Sequence, residues 1–364
     1  MSTVVVTGVA GSLGSRVVAR LLARPDIDRV VGLDLVPVAE SDGRLDARVV
    51  DLAARPAPID LQLERAFHGA DAVLHLAWSV SDGKGVSEED VKAAAAANHR
   101  SLARVLHAAD KAGVAAVVHI SSATVYGAWA DNKIPLTEDA RLRPNPEFNF
   151  AVSKAESERV LAEWADGHAS VAVAVLRPTV TVGADGRPLY QALGVTRSPR
   201  LGDEGRPVQY LHVDDLAGAV VLAWERHLRG VFNVAPDGGI PEEQARALAG
   251  GVAKVSVPDR LAARLAALGW RLWRQGVPVE AQAYAIHPWA VAPDRLKGAG
   301  WVPEYSSEEA LVATDERSHW DDLPPGRRQN LNLVLVIVGA TITAGGGAAL
   351  VAALIRRRRR RRAA

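Results

Sequence analysis

The sequence predicts a doubly wound α/β fold, in which helices cover both faces of a parallel β-sheet. Five short, valine-rich apolar runs are predicted as strands: Val4–Thr7, Val30–Leu33, Ala72–Leu76, Ala115–Ile120 and Val171–Leu176. Segments with helical length and spacing alternate with them, among them Arg16–Ala23, Val91–Ala112 and Lys154–Trp164. Continuously apolar strands that alternate with helices are typical of a parallel sheet buried on both sides.

The domain organisation follows from where this alternation ends. We expect one α/β domain over residues 1–180, to which residues 207–235 return, and a smaller substrate-binding region formed by residues 181–206 and 236–322. The Pro-Pro-Gly sequence at 324–326 predicts a linker over residues 323–330. A hydrophobic helix at 331–355 and an arginine-rich tail at 356–364 would complete the chain.

Charge and cysteine content exclude several classes of protein. The chain has 364 residues, 43 of them basic and 42 acidic, and no cysteine. It therefore has no disulfide framework, thiol nucleophile or cysteine-ligated metal site. Seven basic residues form one run, Arg356 to Arg362, so the remainder has 36 basic and 42 acidic residues, a net charge of −6. We expect no nucleic acid partner and, without a His-Glu-x-x-His pattern, no metal.

A glycine-rich turn joins the first predicted strand to the first helix. Val4-Val5-Val6 runs into Thr7-Gly8-Val9-Ala10-Gly11-Ser12-Leu13-Gly14. Gly8 permits the tight turn, Gly11 lets the backbone approach a pyrophosphate, and Gly14 lets the helix pack closely on the strand. Because the helix N-terminus faces the phosphates, we also expect Ser12 and Leu13 to contact them. The strand–turn–helix order predicts a Rossmann dinucleotide site rather than an ordinary turn.

Asp34 ends the second predicted strand and bears on the choice of dinucleotide. A carboxylate here accepts hydrogen bonds from the adenosine ribose hydroxyls and repels a 2′-phosphate. The next arginine in the chain is Arg44. These observations favour NAD over NADP, although Asp34 could instead simply cap a loop.

Further motifs occur in an order that resembles the extended short-chain dehydrogenases/reductases, the group of NAD-dependent sugar epimerases and dehydratases. Beyond the glycine pattern they are Val50-Asp51-Leu52, His75-Leu76-Ala77, Asn98, Ser121 to Gly127, Leu176-Arg177-Pro178, His212 to Asp215 and Asp294 to Trp301. The resemblance covers residues 3 to 315. It implies NAD as cofactor, with Asp51 and Leu52 near the adenine, Leu76 and Ala77 along the cofactor and Pro178 near the nicotinamide.

The same resemblance implies three catalytic positions, one of which is altered. Ser122 matches the serine that orients the substrate oxygen, and Lys154 matches the lysine that holds the nicotinamide ribose. Phe150 stands four residues before Lys154, where the family has its acid/base tyrosine. A phenyl ring cannot exchange a proton, and a general acid/base contributes about 10²–10⁴-fold in rate. Tyr126 is the candidate substitute, unless it only packs at its strand end.

The segment 331–355 carries no charge over 25 residues. As a helix it would span about 37 Å, enough to cross a bilayer core with tilt. Its position between a linker and seven arginines favours a membrane segment over a buried core helix. The arginines favour a cytoplasmic C-terminus, whereas NAD chemistry and the lack of a predicted signal peptide favour a cytoplasmic body. We expect the protein at the cell membrane with its NAD-binding domain facing the cytoplasm, and leave the topology of the segment open.

Two interpretations of function remain open at this point. In the first, the chain is an NAD-dependent oxidoreductase, epimerase or dehydratase acting on a small molecule with a hydroxyl or sugar-like group. In the second, it is a catalytically weak or inactive membrane-tethered NAD-binding sensor or scaffold. Retention of Ser122 and Lys154 favours the enzyme, whereas Phe150 and the apolar segment motivate the sensor. The resemblance is also compatible with a homodimer, which the sequence neither confirms nor excludes.

Overall fold

The computed structural model describes residues 2–39, 42–54, 58–79, 87–183, 206–248 and 279–313. The strands in these ranges are β1 Ser2–Thr7, β2 Ile27–Asp34, β3 Leu45–Val49, β4 Ala72–His75, β5 Ala116–Ile120, β6 Ala172–Pro178, β7 Val180–Val182, β8 Pro207–Val208, β9 Tyr210–His212, β10 Gly230–Val234 and β11 Ile240–Pro241. Seven of them form a parallel sheet in the order β10-β6-β5-β4-β1-β2-β3. The predicted parallel sheet is therefore confirmed.

The helices in the described ranges flank this sheet or follow it in the chain. They are α1 Ser12–Leu22, α2 Pro58–Phe67, α3 Glu88–Ala112, α4 Asn149–Gly167, α5 Val213–Glu225, α6 Glu242–Leu248, α7 Gln282–Ile286, α8 Asp294–Gly298 and α9 Ser307–Ala313. Two short 3₁₀ helices cover Ala123–Tyr126 and Val279–Ala281.

Both faces of the sheet are buried, as the valine-rich strands predict. Alternate residues of β1 separate into two cores, because side chains along a strand point to opposite faces. Val4 and Val6 pack in one core with α1 and α5. Val5 packs in the other with α2, α3 and α4. The helices thus lie on both sides of the sheet, which is the doubly wound arrangement.

A third apolar core lies beyond the carboxyl ends of β5 and β6. It gathers the 3₁₀ helix Ala123–Tyr126, the start of α4 and residues of the C-terminal part of the chain, including Tyr284 and Trp289. The short strand pairs β7–β9 and β8–β11 belong to the same region. This third core forms one wall beside the carboxyl edge of the sheet, where α/β proteins bind their ligands.

Helices α1 and α3 begin earlier than the sequence predicts, and for α3 the cause is local capping. Helix α3 starts at Glu88 rather than Val91, because Ser87 and Asp90 form a reciprocal capping box. Helix α1 starts at Ser12, directly after the N-cap Gly11. The earlier start of α1 brings the backbone of Ser12 and Leu13 into the first turn, where free N–H groups lie.

Several sequence predictions lie outside the described residues. These are residues 184–205, 249–278 and 314–322 of the predicted substrate-binding region, the linker, the hydrophobic helix at 331–355 and the arginine-rich tail. Across the described ranges no helix is both long and apolar enough to cross a membrane. The C-terminal hydrophobic helix therefore stays a prediction from sequence.

Candidate active site

The glycine turn after β1 has the close contacts that a dinucleotide site needs. Gly8 has a φ of +79°, a conformation that favours glycine. A Cβ atom at Gly14 would lie 2.0 Å from the carbonyl oxygen of Gly8, so only glycine lets α1 pack this closely on the turn. The N–H of Gly11 donates to the same carbonyl at 3.2 Å. This geometry is compatible with a pyrophosphate at the N-terminus of α1, which stays a prediction.

Asp34 lies beside this turn at the end of β2. Its carboxylate accepts the N–H of Ala10 at 2.9 Å and that of Val36 at 3.2 Å. The carbonyl of Asp34 accepts the N–H of Val50 at 2.7 Å, which brings the end of β3 alongside. The next residue, Asp51, accepts the N–H of Ala53 at 2.9 Å. Asp34 and Asp51 thus share the edge at which an adenosine would lie.

Leu52 and the segment after β4 complete the cofactor side of the site. The carbonyl of Leu52 accepts a hydrogen bond from Arg104 of α3 at 2.9 Å, and its side chain is buried. The N–H groups of Leu76 and Ala77 both donate to Thr7 Oγ1 at 3.1 Å. Thr7 therefore fixes this segment against the glycine turn. Nothing local in the sequence distinguishes Thr7 from any other residue that ends a strand, so this role could not be predicted.

The hydrogen bonds of Thr7 also fix the protonation of His75. Thr7 Oγ1 accepts two N–H groups, so its single proton points to His75 Nδ1, 2.8 Å away. His75 Nδ1 is consequently an acceptor. Burial lowers the pKa of His75 to about 3, which keeps the ring neutral.

Asn98 of α3 holds the end of the same segment. Its side-chain oxygen accepts the N–H of Ser79 at 2.8 Å, and its amide group donates to the Ser79 carbonyl at 2.8 Å. These two bonds fix the backbone next to Trp78. The side chain of Trp78 lies against Lys154, near the start of α4.

Lys154 is placed by α4 at the carboxyl end of β5. Its Nζ donates to the carbonyl of Ile120 at 2.7 Å and lies 3.4 Å from the centre of the Trp78 indole ring. The side chain is buried, and burial lowers the pKa of its ammonium well below the usual range. The ring of Phe150 lies 5.9 Å from Nζ. The four-residue spacing in the sequence therefore corresponds to side chains that are neighbours on α4.

Ser122 follows β5 directly and is also buried. Its Oγ accepts hydrogen bonds from the N–H and the hydroxyl of Thr124, at 3.2 Å and 2.9 Å, and so caps the 3₁₀ helix. Its own hydroxyl proton is not used in either bond. Ser122 and the Nζ of Lys154 therefore both lie at the carboxyl end of β5, and Pro178 ends the neighbouring strand β6.

Tyr126 has the packing role that the sequence analysis left open beside catalysis. Its ring is buried, and its hydroxyl donates to Asn233 Oδ1 and accepts from Arg177, both at 2.7 Å. Burial raises the pKa of the Tyr126 hydroxyl above its usual value. A hydroxyl engaged in this way is a poor substitute for the tyrosine missing at position 150.

The residue that orders this network is Glu158, which the sequence analysis missed. Its carboxylate forms a buried ion pair with Arg177, with the closest atoms 2.5 Å apart, and accepts the hydroxyl of Ser121. The only feature of the sequence that could have indicated this role is the position of Glu158 one turn after Lys154 on α4. Arg177 then reaches Tyr126, so the pair connects α4 to the third core.

Within the described residues, the structure brings together no three histidine, aspartate or glutamate side chains that could hold a metal ion. The expectation of no metal stays a prediction for the rest of the chain.

Comparison with known proteins identifies the family. Residues 4–235 match the model of the NAD dependent epimerase/dehydratase family. The chain belongs to this family. NAD is therefore its cofactor, and the glycine turn with Asp34 is the part of the structure that fits it.

Individual relatives agree with this assignment. The chain is 30% identical over 345 residues to a UDP-glucose 4-epimerase of Azospirillum brasilense, covering 85% of this chain and 89% of that protein. It is 27% identical over 346 residues to a dTDP-glucose 4,6-dehydratase of Streptomyces griseus, covering 88% and 96%. The crystal structure of a Thermus thermophilus UDP-glucose 4-epimerase in complex with NAD has a TM-score of 0.62 at 25% identity, over 86% of this chain and 97% of that one.

Proposed function

We propose that this chain is an NAD-dependent enzyme that oxidises a carbinol carbon of a nucleotide sugar to a carbonyl, or reduces the carbonyl back to the carbinol. The observation that carries the proposal is that Ser122 and Lys154 both lie at the carboxyl end of β5, in the sheet whose strand β1 leads into the glycine turn. The substrate class rests on the names of relatives, which act on UDP-glucose and dTDP-glucose. Epimerisation, dehydration and simple oxidation all begin with the same hydride removal.

The roles of the residues follow from their positions. The glycine turn and the first turn of α1 would hold the pyrophosphate, and Asp34 would accept hydrogen bonds from the adenosine ribose. When bound, NAD supplies the hydride acceptor. Ser122 has a free hydroxyl proton with which to hold a substrate oxygen, and Lys154 lies where it could contact a ribose or a substrate hydroxyl. Both side chains are buried, which strengthens such hydrogen bonds by excluding water.

A second candidate function is supported by Phe150. Without a tyrosine at this position, and with Trp78 covering Lys154, the chain could bind NAD and report its presence without turnover. This sensor would change shape or partners on binding NAD. Tight NADH binding without any product would support it against the enzyme.

We also propose that residues 331–355 tether the chain to the cell membrane, with the NAD-binding domain on the cytoplasmic side. Support comes from the uncharged 25-residue segment and the seven arginines that follow it. Fractionation of cells that express the full chain, followed by protease protection, would test both points. Recovery of the full chain in the supernatant would contradict the tether.

The test of function uses the full chain in detergent micelles. NADH and NADPH are titrated separately, followed by energy transfer from tryptophan to the nicotinamide. UDP- and dTDP-hexoses are then incubated with NAD⁺, and absorbance at 340 nm and the sugar products are recorded. Slow formation of an epimer, a keto sugar or NADH is expected. Binding of NADH without product from any substrate would favour the sensor, and no binding of either dinucleotide would contradict both candidates.

A further inference from the structure

Three residues of the candidate site lie on three different elements of the fold. Ser122 follows β5, Lys154 lies on α4 and Pro178 ends β6. Backbone hydrogen bonds of the sheet fix β5 relative to β6, whereas a helix is attached to a sheet through its side chains. The contacts that α4 makes with the strand ends therefore decide where Lys154 lies relative to Ser122.

Glu158 of α4 contacts the residue that precedes each of the two strand-end positions. Its carboxylate accepts the hydroxyl of Ser121, the residue before Ser122. It also accepts hydrogen bonds from Arg177, the residue before Pro178, with distances of 2.9 Å from Nε and 2.5 Å from a terminal nitrogen. One side chain of the helix thus holds the ends of both β5 and β6.

Lys154 and Glu158 together fix the position of α4 along β5. The Nζ of Lys154 donates to the carbonyl of Ile120 at 2.7 Å, and Glu158, one turn later, holds the next residue of the chain, Ser121. Side chains one turn apart on a helix lie on the same face. Two successive turns of α4 are therefore attached to two successive residues at the carboxyl end of β5.

Arg177 extends the attachment to the other side of Ser122. Its second terminal nitrogen donates to the hydroxyl of Tyr126 at 2.7 Å, and Tyr126 ends the short 3₁₀ helix that Ser122 caps. The chain is thereby held before Ser122 by Glu158, through Ser121, and after Ser122 by Arg177, through Tyr126.

The burial of the Glu158–Arg177 pair favours a role in geometry. The side chains of Arg177 and Glu158 are 4% and 6% exposed. Removing two charges from water is costly, and replacing both partners of a buried ion pair by apolar residues is often neutral or stabilising. A bidentate contact between arginine and a carboxylate, however, fixes direction as well as distance. An apolar pair of the same size would not supply this constraint.

We propose that the Glu158–Arg177 pair is a positioning device for the reaction, which holds Lys154 and Ser122 in their relative geometry at the end of β5. This proposal rests on the proposed function above. Both side chains are buried and engaged with each other, so they act through Ser122 and Lys154 rather than on the substrate. A displacement of about 1 Å in a site can lower the rate about 10²-fold.

The first test removes both charges together. Glu158→Leu combined with Arg177→Met leaves no buried charge without a partner, and urea unfolding checks that the full chain still folds. The matched control is Glu156→Leu with Arg159→Met, the same change in an exposed ion pair of α4 whose closest atoms are 2.6 Å apart. In the buried double variant kcat is expected to fall about 10²-fold, while the Kd for NADH rises far less. The control is expected to match the wild type in both quantities.

Two outcomes of this test would overturn the proposal. A folded buried double variant with wild-type kcat would show that the pair does not position the reacting groups. A loss of NADH binding as large as the loss of kcat would show a general structural role instead. If the double variant does not fold, Ser121→Ala decides, because it keeps the ion pair and removes only one attachment. It is expected to lower kcat about tenfold, and wild-type kcat would then overturn the proposal.

The second test observes the position of Lys154 without any turnover. The chain has seven lysines, so ¹³Cε-labelled lysine gives few NMR signals, and Lys154→Met identifies the signal of Lys154. The Nζ of Lys154 lies 3.4 Å from the centre of the Trp78 indole ring, so the ring current is expected to separate this signal from that of the exposed Lys92. The buried double variant is expected to move the Lys154 signal towards that of Lys92, and the control variant is expected to leave it in place.

The NMR result separates this proposal from the proposed function. An unchanged Lys154 signal in the folded double variant would overturn the positioning role, whatever the kinetics show. A wild-type protein that forms no product from any substrate would instead contradict the proposed function. In that case the shift of the Lys154 signal still decides whether the Glu158–Arg177 pair positions Lys154.

Discussion

The carboxylate of Asp34 accepts the backbone N–H of Ala10 at 2.9 Å. This hydrogen bond joins the end of β2 to the middle of the glycine turn, so the residue that is predicted to select the dinucleotide also holds the loop that is predicted to bind it. The second carboxylate oxygen accepts the N–H of Val36. The negative charge of Asp34 is therefore fixed at the edge where an adenosine ribose would lie.

Asp34 is expected to reject NADPH. A carboxylate repels the 2′-phosphate, and every 1.4 kcal/mol of lost binding free energy changes Kd about tenfold. We expect NADH to bind at least about tenfold more tightly than NADPH, and Asp34→Asn to reduce this ratio. Fluorescence titration of both dinucleotides measures it. Asp28→Asn, at an exposed position earlier in the same strand, is the control, and an unchanged ratio in Asp34→Asn would contradict the assignment.

Gly14 is expected to be intolerant of any side chain. A Cβ atom there would lie 2.0 Å from Gly8 O and 2.7 Å from the Cα of Val9, so Gly14→Ala must push α1 away from the turn. Overpacking of this kind costs about 1–3 kcal/mol. Urea unfolding should show this loss, together with weaker NADH binding.

Gly218 supplies the matched control for that substitution. It lies inside α5, and a Cβ atom there would meet nothing within 4 Å. Gly218→Ala is expected to raise the free energy of unfolding by up to about 1 kcal/mol, because alanine favours the helix over glycine. Similar losses in both variants would mean that the contact of Gly14 with the turn is unimportant.

Phe150→Tyr is expected to increase turnover. It places a hydroxyl on the ring next to Lys154, in the position implied by the family resemblance. A general acid/base contributes about 10²–10⁴-fold, so we expect kcat to rise about tenfold or more. Steady-state kinetics with the best substrate measures the gain. Phe150→Leu should bring no gain, and an unchanged kcat in Phe150→Tyr would show that the site is not organised for a tyrosine.

Tyr126→Phe separates packing from catalysis. The variant removes a buried hydroxyl from Arg177 and Asn233, and loss of one partner of a buried hydrogen bond costs about 1–3 kcal/mol. We expect lower stability in urea but a kcat that falls far less than the roughly 10²-fold effect of losing a general acid/base. A large loss of kcat with unchanged stability would restore Tyr126 as the proton carrier.

Stability is expected to decrease in mild acid because of His75. The pKa of His75 is about 3 in the folded chain against an ordinary value of 6.5, so between these values only the unfolded chain binds the proton. Stability is therefore full above pH 6.5 and falls as pH decreases towards 3, by about 2 kcal/mol from this residue by pH 5. Urea unfolding at pH 7 and pH 5 measures the change.

The matched variants for this pH effect are His75→Asn and His68→Asn. The first should reduce the pH dependence, because asparagine can still accept the Thr7 hydroxyl but does not titrate. The second removes an exposed histidine and should leave the dependence as it is in the wild type. Identical curves for all three proteins would contradict the assignment, and His119, whose pKa is lowered for the same reason, would then have to be reconsidered.

Local sequence determined the elements of the fold and the cofactor loop. The valine-rich runs predict strands, and the spacing of Gly8, Gly11 and Gly14 predicts the phosphate turn, because each depends on the conformations and side chains of neighbouring residues. The same local reasoning could have found the start of α3, since Ser87 and Asp90 form a recognisable capping box.

Contacts between distant residues were decided by the tertiary structure alone. Thr7 meets Leu76 and Ala77 only because β4 lies next to β1 in the sheet, and Lys154 meets Trp78 only because α4 and the segment after β4 converge at the end of β5. The buried position of Glu158 and the packing role of Tyr126 depend on the same convergence. Periodicity in a sequence reports which face of an element is buried, but it does not report which other element covers that face. The cofactor could therefore be predicted from the sequence, whereas the surroundings of Lys154 and Tyr126 could not.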